Sequence, residues 1–367
     1  MKIAVITMHA VKNYGSALQT YATQRILESL GCEPVVIDYI REKNLDKNLI
    51  STWTRKDTGI KKLLKAVVLY PTVLRWKKVF NSYLHDNIRL TDHCYSSEQD
   101  LLSSPVEADV FCTGSDQVWN SGWNDGIERA FYLTFVPDNV PKIAFAASIG
   151  KAELTQEETD AVKPLLERYN AISVREESAQ RLLLDLGLHN VEFCLDPTLL
   201  LSRSEWLKHA KRTLRKKKYI LVYQLDHDTS FDCYAQEVAH RTGLELVRIC
   251  TRFDQVRLPG KPVFIPEVCQ FISLINQAEC VITNSFHATA FCINLNTNFI
   301  SIYPSEYSSR LHDVLTLFDL QERHLSSWKQ FDLIDRPIDF ARVNTKLREE
   351  RKTSIELIKK MIASCAK

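Results

Sequence analysis

The sequence predicts an α/β protein made of two Rossmann-like domains that face each other across a cleft. The chain has 367 residues, more than one hydrophobic core usually serves. Continuous apolar runs of strand length alternate with segments of helical periodicity, a pattern typical of parallel sheets covered by helices. This alternation stops at a polar linker near residue 201 and then begins again, which indicates a second domain of the same class.

The first domain is predicted over residues 1–200 and opens with a βαβ unit. Lys2–Met8 is a continuous apolar strand, the helix after it ends at Gly31, and Glu33–Tyr39 is the next strand. Such short connections favour a parallel, right-handed unit. The domain continues with predicted strands at Ala108–Ser115, Lys142–Ser148, Ala171–Glu176 and Val191–Asp196 and with helices at Thr155–Tyr169 and Glu177–Leu186.

Residues 44–104 are less regular and are predicted to be a helical insertion in the first domain. They include Lys61–Lys78, whose apolar middle is too short to cross a bilayer and is interrupted by Pro71. Two interpretations of this stretch stay open. It forms a helical hairpin packed on the domain, or it is a basic amphipathic element that rests on anionic lipid.

The second domain is predicted over residues 201–335. Its linker contains the basic run Lys211–Lys218, interpreted as a solvated segment, with lipid contact as the alternative. The tail, residues 336–367, carries a helix over Asn344–Ala366 that is expected to pack back on the first domain. The predicted strands of the second domain are Lys218–Leu225, Leu244–Cys250, Cys280–Ser285 and Asn298–Pro304, and the predicted helices are Ser230–Arg241, Pro266–Ala278, His287–Asn296 and Ser309–Phe318.

Composition narrows the class of protein. The formal net charge of +2 is too small to predict nucleic-acid binding through a general positive field. The 10 cysteines form no CxxC pair and no zinc-ligand spacing, and most lie in apolar runs, which suits reduced, buried thiols in a cytoplasmic protein. Because no metal-ligand cluster is present either, we expect no required metal and no other cofactor.

In parallel sheets of this kind, ligands bind at the carboxyl ends of the strands. The first such loop contains Asn13, Gly15 and Ser16 before a helix, where amides bind anions or sugar hydroxyls and glycine allows close approach. A glycine turn with Ser16 as the N-cap is the alternative. The dinucleotide fingerprint GxGxxG is absent here.

The second loop, TGSDQVWN, spans Thr113–Asn120. Asp116, Gln117 and Asn120 offer a carboxylate and two amides, and Trp119 offers an aromatic face. A sugar ring, which is polar at its edge and apolar on its faces, would fit this set. The alternative is a turn capped by Asp116 in which Trp119 is packed.

The third loop, SVREES, places Arg175 directly after a buried strand, where an unpaired guanidinium would be costly. Its partner is either a carboxylate of the protein, Glu176 or Glu177, or a phosphate or carboxylate ligand bound in bidentate geometry.

The fourth loop is VITNSFHATAF, in which Asn284 and Ser285 end a strand and His287 lies in the first turn of a helix. The positive end of a helix disfavours an imidazolium, but a bound phosphate dianion would keep His287 protonated as a general acid. A structural core histidine is the alternative. Arg310 begins the next helix, so the group would suit a small phosphorylated anion.

The motifs TGSDQVWN, SVREES and SFHAT, in this order and together with NYGSALQ, KIAFAASIG, LDPTLLL and SSRLHDVL, resemble the polysaccharide pyruvyl transferase family over about residues 1–320. The resemblance implies a GT-B-like fold. It also implies transfer of the enolpyruvyl carbons of phosphoenolpyruvate to two hydroxyls of one sugar, in the precursor of a bacterial cell-surface polysaccharide such as an exopolysaccharide or capsule. The products would be a cyclic ketal and phosphate.

The same resemblance implies roles for single residues. His287 matches the family's general acid, and Arg175 matches a donor-binding arginine. Some members carry a further arginine where this chain has Ser285, and we expect Arg310 to supply that charge. Asn284 and the amides of Ser285 and Phe286 would assist in donor binding. Asp116 would orient or deprotonate the acceptor hydroxyl, and Trp119 would stack on the acceptor.

Two other functions stay open. A GT-B glycosyltransferase that uses a nucleotide sugar would need a carboxylate for the base and ribose, for which Glu306 is the candidate. A glycan-binding module without catalysis is the third possibility. The acceptors implied by the resemblance are often lipid-linked, which would bring the protein to the inner face of the cytoplasmic membrane as a peripheral protein.

Overall fold

The computed structural model describes residues 1–213, 215, 217–304 and 308–366. The chain divides into two compact units. The first comprises Met1–Glu42, Leu84–Leu201 and Leu347–Lys367, and the second comprises Lys43–Tyr83 and Ser202–Lys346. The division differs from the predicted boundaries at two places, because residues 44–83 of the predicted insertion belong to the second unit and residues 336–346 of the predicted tail do as well.

Twelve strands are present in the described residues. In chain order they are β1 Lys2–Ile6, β2 Glu33–Tyr39, β3 Leu90–Tyr95, β4 Val110–Thr113, β5 Lys142–Ala147, β6 Ala171–Val174, β7 Val191–Phe193, β8 Tyr219–Tyr223, β9 Glu245–Cys250, β10 Lys261–Phe264, β11 Cys280–Thr283 and β12 Phe299–Ser301.

The α-helices of the described residues are α1 Tyr14–Ser29, α2 Leu49–Trp53, α3 Gly59–Trp76, α4 Ser82–Asn87, α5 Glu98–Ser103, α6 Ser121–Asn124, α7 Gln156–Leu166, α8 Glu177–Asp185, α9 Pro197–Leu200, α10 Arg203–His209, α11 Thr229–Thr242, α12 Val268–Asn276, α13 Phe286–Leu295, α14 Ser309–Leu317 and α15 Phe340–Cys365. A π-helix, Lys77–Asn81, joins α3 to α4, and short 3-10 helices lie at Glu42–Asn44, Arg129–Tyr132, Phe253–Arg257, Gln321–Arg323 and Phe331–Ile334.

Each unit contains one fully parallel sheet. The first has the strand order β3-β2-β1-β4-β5-β6-β7, and the second has the order β10-β9-β8-β11-β12. In both sheets the order reverses beside the first strand of the unit, which is the place where Rossmann-like sheets bind ligands. The central strands are buried on both faces, β4 and β11 entirely so, which explains why their sequences are continuous apolar runs.

Two strands escaped prediction, and both lie at sheet edges. β3 reads LTDHCY and β10 reads KPVF, and most of their residues are partly or fully exposed. An edge strand is covered less than a central one, so it does not need a continuous apolar run. The feature that marks a buried strand is therefore missing from its sequence.

The predicted hairpin at Lys61–Lys78 is wrong. α3 runs through Pro71 without a break, and its buried side packs on the second unit. Trp76 Nε1 donates to the carbonyl of Thr251 at 3.0 Å, and Arg75 Nε donates to the carbonyl of Ile265 at 3.0 Å. These bonds explain why the segment belongs to the second unit although it lies between two parts of the first.

The C-terminal helix α15 packs on the first unit, as the sequence predicts. Arg351 donates to the carbonyl oxygens of Leu199 and Leu201 at 2.6 and 3.0 Å, and the hydroxyl of Ser354 accepts from the amide of Leu195 at 3.0 Å. Within the part of the chain that the structure describes, no helix combines the length and the apolar character that a bilayer span requires.

Candidate active site

A buried polar network lies at the carboxyl ends of four strands in the first unit. It joins side chains that follow β4, β5, β6 and β7 to one residue of α1. The members that the sequence singled out are Ser16, Asp116, Arg175 and Glu176, and the members that it missed are Ser115, Ser148, Asp196 and Thr198. The strand ends meet here because parallel strands all present their carboxyl ends at one edge.

Asp116 occupies a strained backbone position in this network. Its φ of 78° lies in the left-handed region, which a residue with a side chain rarely adopts. The strain is held by a bridge to Ala147 and by the amide of Ser148, which donates to the Asp116 carbonyl at 3.1 Å. The conformation places the carboxylate of Asp116 where it accepts from the hydroxyl of Ser16 at 2.5 Å and from the amide of Gln117 at 2.9 Å.

Ser16 is not the N-cap of α1, as the alternative interpretation had it. Asn13 is the N-cap, and its side chain accepts from the amide of Gly15 at 2.8 Å. Ser16 lies inside the first turn, which leaves its hydroxyl available to donate to Asp116. Of the predicted acceptor residues Asn13, Gly15 and Ser16, only Asn13 is partly exposed.

Arg175 is held by three carboxylates of the protein, so the structure favours the interpretation in which its partner is internal. Its guanidinium lies 2.7 Å from Asp196, 3.3 Å from Glu176 and 3.4 Å from Asp116, and its side chain has 0% exposure. Burial acts to lower the pKa of Arg175, but the three carboxylates outweigh it and raise this pKa above the ordinary value for arginine. A donor would therefore have to displace protein carboxylates to reach this guanidinium.

Asp196 and Glu176 complete the network. Asp196 accepts from Arg175 and Ser115 on one oxygen and from the amide and hydroxyl of Thr198 on the other, so it also caps α9. Glu176 accepts from the hydroxyl of Ser148 at 2.6 Å. Asp196 could have been found from the sequence, because it ends the predicted strand Val191–Asp196 directly before Pro197, as a helix N-cap does.

Three predicted acceptor-binding residues are structural. Trp119, expected to stack on a sugar, is 3% exposed, donates from Nε1 to the carbonyl of Phe131 at 3.1 Å, and stacks on Tyr132. The side chains of Asn120 and Gln117 bond to each other at 2.7 Å, and Asn120 also caps α6. The packed-tryptophan alternative is therefore the one that the structure shows.

Trp123, which has no distinguishing pattern in the sequence, has the exposed indole instead. It lies in α6 directly after this loop, half exposed, and its amide is fixed by the side chain of Asn120 at 3.1 Å. In WNSGWN the two tryptophans look alike, and no local signal tells which one is buried.

Gly150, which follows β5, packs against the loop Thr113–Asn120. Its φ is +65°, and a β-carbon at this position would lie 2.6 Å from Gln117 Oε1 and 2.7 Å from Asn120 Nδ2. Both atoms belong to the hydrogen bond that closes the loop, so they cannot move away cheaply. Only glycine satisfies both the backbone angle and the contact.

In the second unit, the turn from β11 to α13 is fixed by its own polar side chains. Asn284 accepts from the amide of Leu225 at 2.8 Å, which ties the end of β11 to the end of β8. The hydroxyl of Ser285 accepts from the amide of Ala288 at 3.3 Å and thereby caps α13. An arginine at position 285 could not cap the helix in this way, so the serine has a structural use here.

His287 lies in the first turn of α13, where the sequence placed it, and is 7% exposed. Its ring is perpendicular to that of Phe286 at 5.2 Å. Arg310, in the first turn of α14, lies with its guanidinium carbon 5.9 Å from the ring of Phe286. The turn therefore combines an imidazole, a guanidinium and a helix N-terminus, a set that can bind an anion and deliver a proton.

The end of β12 in the same unit adds an aromatic pair. Tyr303 stacks on His324 with ring centroids 3.6 Å apart, and burial lowers the pKa of His324. Neither residue was singled out in the sequence, where they are 21 positions apart. Glu306, the candidate for a nucleotide-sugar site, lies outside the described residues.

Comparison with known proteins identifies both a family and a fold. A model of the polysaccharide pyruvyl transferase family matches residues 13–306. Among solved structures, the chain is similar to UDP-GlcNAc 2-epimerase from Methanocaldococcus jannaschii in complex with UDP-GlcNAc and UDP (TM-score 0.54, 13% identity, 99% of each chain covered). It is also similar to UDP-GlcNAc 2-epimerase from Neisseria meningitidis bound to UDP-GlcNAc (TM-score 0.52, 11% identity, 100% of this chain and 99% of that one).

A search of curated proteins by sequence gave no match. At these identities, the two epimerases inform on the fold alone. Together with the two parallel sheets, they confirm the predicted fold class of two Rossmann-like α/β domains.

We expect Arg175→Gln to lower the free energy of unfolding by about 3–5 kcal/mol, because three buried carboxylates lose their cation. Urea denaturation measures the loss, and Arg181→Gln, an exposed arginine on α8, is the matched control. Unchanged stability of the Arg175→Gln variant would show that the three carboxylates do not depend on this guanidinium.

Gly150→Ala should destabilise the protein by about 1–3 kcal/mol more than Gly31→Ala, as measured by urea denaturation. Gly31 has a similar φ of +78° but nothing within 4 Å of its added β-carbon, so it reports the backbone strain without the collision. Equal losses in the two variants would show that the Gln117–Asn120 bond yields at no cost.

Proposed function

The chain belongs to the polysaccharide pyruvyl transferase family, a family of enzymes, and on that basis we propose that it transfers pyruvate from phosphoenolpyruvate to a sugar. The enolpyruvyl carbons would join two hydroxyls of one sugar in a cell-surface polysaccharide precursor. The products are a cyclic ketal and inorganic phosphate. Because the donor is a cytoplasmic metabolite, we place the reaction in the cytoplasm, on a glycan carried by lipid at the inner face of the membrane.

The observation that supports the donor site is the position of His287 at the N-terminus of α13, with Arg310 against the neighbouring ring of Phe286. Phosphoenolpyruvate carries a phosphate and a carboxylate, which match a guanidinium and the positive end of a helix. The negative charge of the donor would also favour the protonated form of the His287 imidazole, which is the form that an acid needs.

The proposed reaction begins when His287 gives its proton to the methylene carbon of phosphoenolpyruvate. The adjacent carbon gains positive character, a sugar hydroxyl attacks it, and the proton of that hydroxyl passes to the phosphate group. The bond from the same carbon to the phosphate oxygen then breaks, and phosphate leaves. A second hydroxyl closes the ring, and its proton restores His287.

The first unit supports a different role for Arg175 in this scheme than the sequence suggested. Because Arg175 and Ser16 both contact the carboxylate of Asp116, they would fix its orientation. Arg175 is then a positioning residue. The acceptor would bind through Asp116 and Asn13, and the exposed indole of Trp123 takes the place proposed for Trp119 as a stacking face.

A nucleotide-sugar transferase is the second candidate, because the epimerases that share the fold were solved with UDP-GlcNAc. Family membership favours the pyruvyl transferase over it. A glycan-binding module without catalysis would keep the acceptor side and release no phosphate.

His287→Ala should reduce phosphate release from phosphoenolpyruvate at least about a hundredfold, because a positioned acid contributes about 10²–10⁴ in rate. The assay is phosphate release in the presence of an acceptor glycan. His189→Ala, an exposed histidine of the first unit, is the control and should keep full activity. Turnover near that of the wild type in a folded His287→Ala variant would exclude the proposed acid.

Phosphoenolpyruvate should raise the melting temperature by a few degrees at saturating concentration, while UDP-GlcNAc should not. Arg310→Gln should remove most of the shift, since that arginine is proposed to bind the donor. Thermal denaturation followed by fluorescence measures this, with the same titration on His189→Ala as the control. A shift with UDP-GlcNAc alone would favour the nucleotide-sugar transferase.

A further inference from the structure

Helix α3 exposes large apolar side chains from its first turn to its last. Seven large apolar side chains are exposed, with exposed fractions from 39% at Val68 to 77% at Ile60. Most single apolar residues on a surface need no explanation, but a contiguous set on one helix marks a surface that binds something. The set, which we call the α3 face, comprises Ile60, Leu63, Leu64, Val67, Val68, Tyr70 and Leu74.

The α3 face is opposite to the side by which the helix packs on its own unit. With about 100° between successive residues, the seven side chains fall within an arc of about 160°. The buried residues Leu69, Thr72, Val73 and Trp76 fall on the other side of the helix. A surface helix normally directs its apolar side to the core, so this helix has a second apolar side that the unit does not use.

The charges around the α3 face are almost all positive. Residues 55–78 contain eight basic side chains and a single acidic one, Asp57, in a chain whose formal net charge is only +2. Lys61 and Lys65 pair with Asp57 at 3.2 and 2.7 Å, which leaves a strong positive excess along the helix. Lys77 and Lys78 continue it past the C-terminal end.

We propose that the α3 face docks the protein on an anionic lipid bilayer, with the helix lying in the plane of the interface. The apolar side chains enter the boundary between head groups and acyl chains, and the lysines contact anionic head groups. A second copy of this chain does not fit the face, because pairing two such helices would bring together two segments of the same strong charge.

The second basic run, near residues 211–218, does not share these properties. Lys211 pairs with Glu267 at 2.7 Å, Arg215 with Glu245 at 3.1 Å and Lys218 with Glu279 at 3.0 Å. Three of its described basic residues are therefore paired with carboxylates of the second unit. The α3 face is therefore the proposed site of lipid contact, whichever reaction the protein catalyses.

Co-sedimentation of the full chain with lipid vesicles tests the proposal. The wild-type protein should bind vesicles that contain about a quarter phosphatidylglycerol in phosphatidylcholine, should bind pure phosphatidylcholine much more weakly, and should dissociate as salt is raised. Ile60→Ser/Leu64→Ser/Val67→Ser should lower the partition coefficient at least about tenfold. Lys77→Gln/Lys78→Gln should weaken binding to anionic vesicles only.

Leu102→Ser/Leu184→Ser, two exposed leucines of the first unit, is the matched control and should bind like the wild type. Circular dichroism and urea denaturation establish that every variant is folded. Three results would overturn the proposal: no sedimentation of the wild type with anionic vesicles, unchanged binding of the triple serine variant, or a wild-type dimer in solution that the triple variant converts to a monomer.

Discussion

The buried guanidinium of Arg175 is the centre on which the first unit's candidate site depends. It joins Asp116, Glu176 and Asp196, which follow three different strands, and hydroxyls at positions 16, 115 and 148 also donate to these carboxylates. A charge with no exposed surface is tolerated only when it is paired and hydrogen-bonded. The strand ends are therefore held in one arrangement, and the left-handed backbone of Asp116 is held with them.

The two units differ in how the polar residues at their strand ends are used. In the first, the polar residues mostly satisfy each other, and little of their surface is exposed. In the second, the capping of α13 uses the side chain of Ser285, while His287 and Arg310 lie on the two adjacent helices that begin at the same edge of the sheet. Chemistry on a small anion is thus supported best in the second unit, and orientation of a hydroxyl is supported best at Asp116.

The sequence was sufficient for the features that depend on burial of strands. β2 was predicted at its observed bounds because EPVVIDY is apolar between polar turns, and the central strands followed the same rule. Edge strands β3 and β10 have no such run. The position of His287 was also predictable, since a polar cluster ended a strand before helical periodicity began.

The roles of polar residues were harder to predict, because they depend on atoms far away in the chain. TGSDQVWN has the composition of a sugar site, yet the carbonyl of Phe131 and the ring of Tyr132 bury Trp119. The partner of Arg175 that lies closest, Asp196, is 21 residues later. Likewise, the sequence of α3 does not indicate that its side chains donate hydrogen bonds to the carbonyls of Thr251 and Ile265.

The distance along the chain between α3 and the carbonyls that anchor it affects synthesis on the ribosome. α3 is made early, but the carbonyl groups that anchor it emerge 175 and 190 residues later. During that interval the helix has both of its apolar sides uncovered, the one that will pack and the one that stays exposed. The first unit, in turn, cannot be completed until Leu347–Lys367 has been synthesised. The nascent chain therefore carries a basic, apolar segment with no partner for much of its synthesis, and a chaperone or a lipid surface would meet that segment before the folded protein exists.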